Sequence, residues 1–293
     1  MAGQILIGLS QPFVLSAPPY YSNTWFTSSG RTSATAVASL SNPIGAALAQ
    51  LLNPLMCTAP EHIPNMTLYI SIISSVACLS FLVLPAAPPT PPSAAAAVEK
   101  IHVLESLRAL KHNTAFHALA VMFSVYLGAF NAFSTLLAQI LRPEEGYTAD
   151  EAGLTGAVLI VVGLVAAAVM SPLIDRTQAF VPCLRLLVPI IAVCYVLFIF
   201  MPAWSSGGLV GVMVLAGVLG GASFALLPVA LEFAVEVTYP AGIEVVSSIL
   251  WCGGQVVGAG LIVGMDAMRG GNGGSMKGAC GVVAGLEIGR AHV

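Results

Sequence analysis

Eight stretches of about twenty residues in this 293-residue chain are apolar and nearly free of charge. No other feature limits the fold as much. A helix needs about 20 largely apolar residues to cross a bilayer. The stretches are Gly3–Tyr21, Ser33–Met56, Met66–Leu84, Ala115–Leu141, Gly153–Ile174, Pro182–Pro202, Gly208–Leu231 and Ile243–Met265. They predict an all-α polytopic membrane protein. Composition agrees: 57% of residues are hydrophobic and 8% charged, whereas a soluble surface carries about 25–35% charged groups. That excludes a soluble enzyme and a disordered tail. Ten Lys and Arg against thirteen Asp and Glu leave no polybasic footprint for a phosphate backbone, so the bilayer is the expected partner and nucleic acid is not. The six cysteines form no CxxC pair and mostly lie in apolar runs, where a thiol acts as a small hydrophobe. No disulfide framework, metal site or cofactor is expected. The N-terminus lacks the basic n-region of a signal peptide.

The spans fall into three and five. Between them, Pro85–Pro92 is too proline-rich for helix and suits an extended linker. Val98–Lys111 follows, with Ile101, Leu104, Leu107 and Leu110 along one face beside Lys100, Arg108 and Lys111, the pattern of a short helix lying on a membrane. Four segments are therefore expected: a partial bundle at 1–84, a linker at 85–113, a second partial bundle at 114–266 and a glycine-rich tail at 267–293. Alternate loops carry Arg31, Lys100, Arg108, Lys111, Arg176 and Arg185, and the opposing loops only Arg142. The positive-inside rule places the proline-rich linker in the cytoplasm. Three spans before a cytoplasmic linker and five after it fit a six-plus-six arrangement lacking three spans in front and one behind. The tail ends in Glu287-Ile-Gly-Arg-Ala-His-Val293, which matches the translation of a common sequencing adapter, and is expected to be an artefact.

Polar residues inside spans mark candidate contacts. The second span is small and polar, with Asn42, Gln50, three serines and Pro43, and is expected to face the protein interior, lining a cavity or packing tightly. Gln11-Pro12 and Pro18-Pro19 interrupt and end the first span. Asn131, Ser134, Thr135 and Gln139 sit in the fourth beside Tyr126, Phe130 and Phe133. Trp251 and Gln255 share one face of the eighth at i,i+4 spacing, within Gly253-Gly-Gln-Val-Val-Gly258. Uncharged hydrogen-bonding groups near aromatics on interrupted helices suit a midplane solute site. Interhelical packing is the other reading of each residue.

Glu232 and Glu236, also at i,i+4 spacing, close the seventh span. They can pair with Arg176 of Asp175-Arg176, or with Arg31, as an inner gate. A proton-coupling carboxylate or a static anchor would use the same acids. Enzymatic patterns are missing: there is no HExxH, and Ser29-Gly30 and Ser206-Gly207 lie in loops with no base nearby.

Several stretches resemble the major facilitator superfamily, and within it the feline leukaemia virus subgroup C receptor-related transporters. They are Trp25-Phe26 with Ser33-Ala-Thr-Ala-Val-Ala-Ser-Leu-Ser-Asn42-Pro-Ile-Gly45, then Gly128-Ala-Phe-Asn-Ala-Phe-Ser134-Thr-Leu-Leu-Ala-Gln139, and Leu227-Pro-Val-Ala-Leu-Glu232-Phe-Ala-Val-Glu236-Val-Thr-Tyr-Pro240. The resemblance covers roughly residues 4–265 and implies that the eight spans correspond to the family's fourth through eleventh. It implies alternating access moving a small organic solute, with choline, ethanolamine, a vitamin B6 form and haem among family substrates. Gln255 matches a family glutamine that contacts substrate. Asn131 stands where choline-transporting members have a cage tyrosine, and Pro43 where they have a glutamine. The expected solute contacts are Asn42, Asn131, Gln139, Trp251 and Gln255, and the expected gate is Asp175, Arg176, Glu232 and Glu236, in a monomer. A non-transporting membrane receptor or scaffold, or an inactive fragment, are the alternatives.

Overall fold

The computed structural model describes residues 2–83, 85, 88–90, 103–145, 147–177, 179–200, 208–238, 241–271 and 277–290. Among them are ten α-helices and no strand: α1 (Ala2–Trp25), α2 (Ser28–Met56), α3 (Ile63–Leu79), α4 (Val103–Lys111), α5 (Thr114–Glu145), α6 (Ala149–Thr177), α7 (Phe180–Phe200), α8 (Gly208–Thr238), α9 (Ile243–Gly271) and α10 (Lys277–Arg290). Single 3-10 turns, Pro60–His62 and Ser80–Leu82, flank α3. Each of the eight expected spans falls on a helix. Among the described residues, six helical segments are both long and apolar enough to cross a membrane: Pro60–Leu79, Thr114–Leu141, Ala149–Ile174, Phe180–Phe200, Gly208–Thr238 and Glu244–Met268. Among the described residues of α1, Leu6–Pro18 is a shorter apolar stretch.

Helix starts follow local chemistry. Asn113 caps α5, its Oδ1 accepting the Phe116 amide at 3.0 Å, as an Asn N-cap does. At α6, the Glu151 carboxylate accepts from the Thr148 amide at 2.8 Å, and the Thr148 hydroxyl accepts from the Glu151 amide at 3.3 Å. That reciprocal pair is a capping box. Prolines do not break helices here as expected. α1 runs unbroken through Pro12 and Pro18, and α2 through Pro43. In hydrocarbon an unpaired backbone group is costly, so local adjustment within a continuous helix is preferred to an open break.

The core lies in the second half of the chain. Two parallel helix pairs form it, α5 with α9 and α6 with α8, both seamed by glycine. In the α6–α8 pair, a Cβ on Gly220 would collide with the Leu159 backbone carbonyl, and one on Gly163 would meet the Phe224 ring and the Gly220 carbonyl. Gly217 and Gly221 face Val158, Val162 and Ala166, a GxxxG spacing that lets helices approach closely. α7 packs on α8, and α10 rests mainly on α7. The tail set aside on sequence thus contains a helix, with Cys280, Val283 and Ala284 buried.

The first half is loosely held. α1 packs on α2 and α9, and α2 packs on α6. Ala47 is the one buried hydrophobic among the described residues of α1–α3. None of α3 is buried, and its main contacts are the 3-10 turns at its own ends. The linker helix α4 docks where α8 turns into α9. Ser106, buried, accepts the Gly242 amide at 3.1 Å, and Leu110 is buried beside it, while Leu104 and Leu107 stay exposed. The parts of the expected surface helix at 98–102 lie outside the described residues.

Candidate solute site

The α5–α9 seam carries the strongest cluster of predicted contacts. A Cβ on Gly128 would stand 2.8 Å from the Gly258 nitrogen and from Val257 Cγ1, so the two backbones nearly touch. Gly254 faces Leu127 and Gly253 faces Ser124. The glycine-rich run is therefore a packing surface within an unbroken helix, not an interruption in it. Asn131 reaches the same seam, its Cβ 3.5 Å from where a Cβ on Gly258 would stand. Gln255 lies one turn before Gly258, and Trp251 one turn before Gln255. All three side chains are half-buried. Phe123 meets Trp251 edge-to-face at 6.2 Å and Tyr126 at 5.9 Å between ring centroids. These arrangements are favourable for aromatic rings. The seam thus groups two carboxamides and an indole with no charged side chain between them.

The other predicted contacts are not brought there. Gln139 is half-buried on α5, but eight residues beyond Asn131, about 12 Å along the helix. Asn42 is exposed on α2, whose principal neighbours are α1 and α6 rather than α5 and α9. Small polar residues license close packing without saying which face is used, and Asn42 lies on the open one.

The gate residues sit at matching ends, because α6 and α8 run parallel and both finish there. Arg176 and Glu236 are exposed and form no ion pair with each other in this state. Water competes well for such exposed charges, so a pair between them gains little while both stay exposed. The side chains of Asp175, Glu232 and Arg31 lie outside the described residues. Among the described residues no group of three or more His, Cys, Asp or Glu side chains gathers as a metal site.

Two contacts and one buried hydroxyl were not anticipated. The Tyr126 hydroxyl donates to the Ser223 carbonyl, tying α5 to α8. The Ser223 hydroxyl itself is fully buried with no hydrogen bond. Asn113, besides capping α5, donates from Nδ2 to the Val237 carbonyl at 3.0 Å. Asn-Thr ahead of an apolar run is a helix-start signal that the sequence offers for Asn113. A tyrosine among aromatics offers none for its partner.

The family model of the Major Facilitator Superfamily matches residues 1–261. The chain belongs to the major facilitator superfamily. Solute carrier family 49 member A3 of Danio rerio is 32% identical over 275 residues, covering 92% of this chain and 57% of that protein. The choline/ethanolamine transporter flvcr2a of Danio rerio is 30% identical over 275 residues, covering 88% and 57%. The choline/ethanolamine transporter FLVCR1 of Felis catus is 30% identical, covering 88% and 48%. The chain spans about half the length of the curated relatives it matches. Its fold is that of the E. coli fucose:proton symporter FucP, with a TM-score of 0.57 at 16% identity, covering 95% of this chain and 72% of that one. The superfamily member described here is an integral, multi-pass membrane protein. Its two glycine-seamed pairs fit the three-plus-three repeats nested in each superfamily half.

Proposed function

We propose that this superfamily member moves a small organic solute across the membrane by alternating access. The solute contacts would be Asn131, Trp251 and Gln255, with Gln139 and Asn42 joining only as the helices rearrange. One observation carries the reading: α9, which presents Trp251 and Gln255, is also the helix on which α1 packs. A solute held there touches both parts of the molecule, so its binding can favour one relative position over another. An indole face suits an organic cation, and the two carboxamides can bond a hydroxyl or ammonium. The relatives named choline/ethanolamine transporters point to the same class of solute. At the ends of α6 and α8, Asp175, Arg176, Glu232 and Glu236 serve as the proposed inner gate, pairing when that mouth closes.

The test is uptake of radiolabelled choline and ethanolamine by cells expressing the chain, with and without Gln255→Ala. Losing one hydrogen bond of about 1–1.5 kcal/mol predicts close to a tenfold fall in uptake at low solute. Surface expression should be unchanged. Equal uptake by the variant removes Gln255 from the site, and no uptake of any small organic cation by the parent chain removes the transport reading.

A further inference from the structure

A cleft of about 470 Å³ runs between α7 and α8 on the outside of the helix cluster. Pro189, Val193 and Leu197 of α7 and Gly211, Val214 and Val218 of α8 line it. Val193 is 56% exposed and Val214 61%, so the cleft opens outward, toward acyl chains in a bilayer. Its lining is apolar along the whole length. One charge lies in line with it. Arg185 is exposed one turn before Pro189, and positions 185, 189, 193 and 197 form a single i,i+4 row on one helix face. α7 contains no acidic residue, and Arg185 pairs with no acid among the described residues. The row from Arg185 to Leu197 covers about 18 Å, about three fifths of the roughly 30 Å hydrocarbon thickness.

We propose that this cleft binds an anionic glycerophospholipid, with its phosphate on the Arg185 guanidinium and one acyl chain along Pro189–Leu197. The charge decides between lipids. A guanidinium presents a fork of donors matched to phosphate oxygens, and basic positions beside clefts between spanning helices favour anionic headgroups. Arg185 sits inside an otherwise apolar helix, so its aliphatic stem can lie along the cleft while its head reaches the interface. Pro189 also has no N–H to donate to the Arg185 carbonyl, which loosens that turn and helps the cleft open beside it. The leaflet is the one contacted by the α6–α7 turn, cytoplasmic by the positive-inside rule. The proposal does not depend on transport.

The measurement is native mass spectrometry of the full chain released from nanodiscs containing equal amounts of phosphatidylglycerol and phosphatidylcholine. The chain should retain one phosphatidylglycerol, enriched about fivefold over phosphatidylcholine. Arg185→Gln should abolish the enrichment, and Lys111→Gln, an exposed cation elsewhere, should leave it intact. Val214→Trp, which fills the open side of the cleft, should reduce retention of both lipids; all variants are first checked for an unchanged elution volume. Enrichment that survives Arg185→Gln overturns the proposal. So does equal retention of both lipids by the parent chain, or displacement of the bound lipid by cholesterol that is indifferent to Arg185.

Discussion

Residues 2–83 and residues 114–271 are built from similar material, and they use it differently. Both contain long helices rich in Leu, Ile, Val, Ala and Gly. In the second region glycines mark where helices touch: Gly128, Gly163, Gly220 and Gly254 each face backbone or side-chain atoms that a Cβ would strike, although Gly208, Gly260 and Gly264 face open space. In the first region Gly3, Gly8 and Gly45 face open space. The aromatic rings differ likewise. Phe123, Phe133, Tyr195 and Phe198 are almost completely buried in the second region, whereas Phe13 and Tyr69 in the first are exposed. Lipid tails are as apolar as leucine, so hydrophobicity alone does not drive spanning helices together; close packing does. Composition settles that both regions belong in a membrane. It does not settle which helices hold one another.

Gly220→Ala is the substitution that strikes hardest at this difference. The new methyl would meet the Leu159 carbonyl, a backbone group with no flexible side chain to give way. The α6–α8 pair must separate, and overpacking of this kind costs about 1–3 kcal/mol or more. A melting curve of the purified chain in detergent should show a fall of several degrees. An unchanged curve would mean that the two helices are not seamed at Gly220.

The same contrast explains what could be read from sequence. Helix existence and number were legible because spanning length and apolarity are properties of a segment by itself. The partners of Trp251 and Gln255 were partly legible, since i,i+4 spacing fixes a shared face. The meaning of small polar residues was not. Gly253–Gly258 reads as an interruption and proves to be a seam, while the run around Asn42 reads as an interior face and is exposed. Both have the residue types that permit close approach, and only the neighbouring helix decides whether the permission is used. The gate was illegible for another reason: spacing puts charges at a common end, but ion pairing depends on a state of the mouth that spacing does not encode.

A smaller effect is expected where the linker enters the second region. Asn113 holds two bonds at once, capping α5 and reaching the Val237 carbonyl at the end of α8. Asn113→Ala loses the cap and leaves the carbonyl without that donor, for about 1–2 kcal/mol. Hydrogen exchange should quicken at the Phe116 amide, whose acceptor is gone, with the exchange of mid-helix α5 amides unchanged. If the Phe116 amide exchanges at the parent rate, water or another group has replaced the cap and the junction is less specific than the geometry implies.

The smallest expected effect is also the one that bears most on the first region. Gly45 is in the interior of α2, and a Cβ there meets nothing within 4 Å. Where the backbone tolerates it, Gly→Ala reduces the freedom of the unfolded chain and stabilises by about 0.4–1 kcal/mol. Gly45→Ala should therefore leave the melting temperature unchanged or slightly raised, opposite in sign to Gly220→Ala. The same added methyl group, in two helices of the same membrane protein, separates a face that is packed from one that is open. A destabilisation comparable to that of Gly220→Ala would show that the open face of α2 is covered by another surface, and that Asn42, three residues before Gly45, is enclosed rather than exposed.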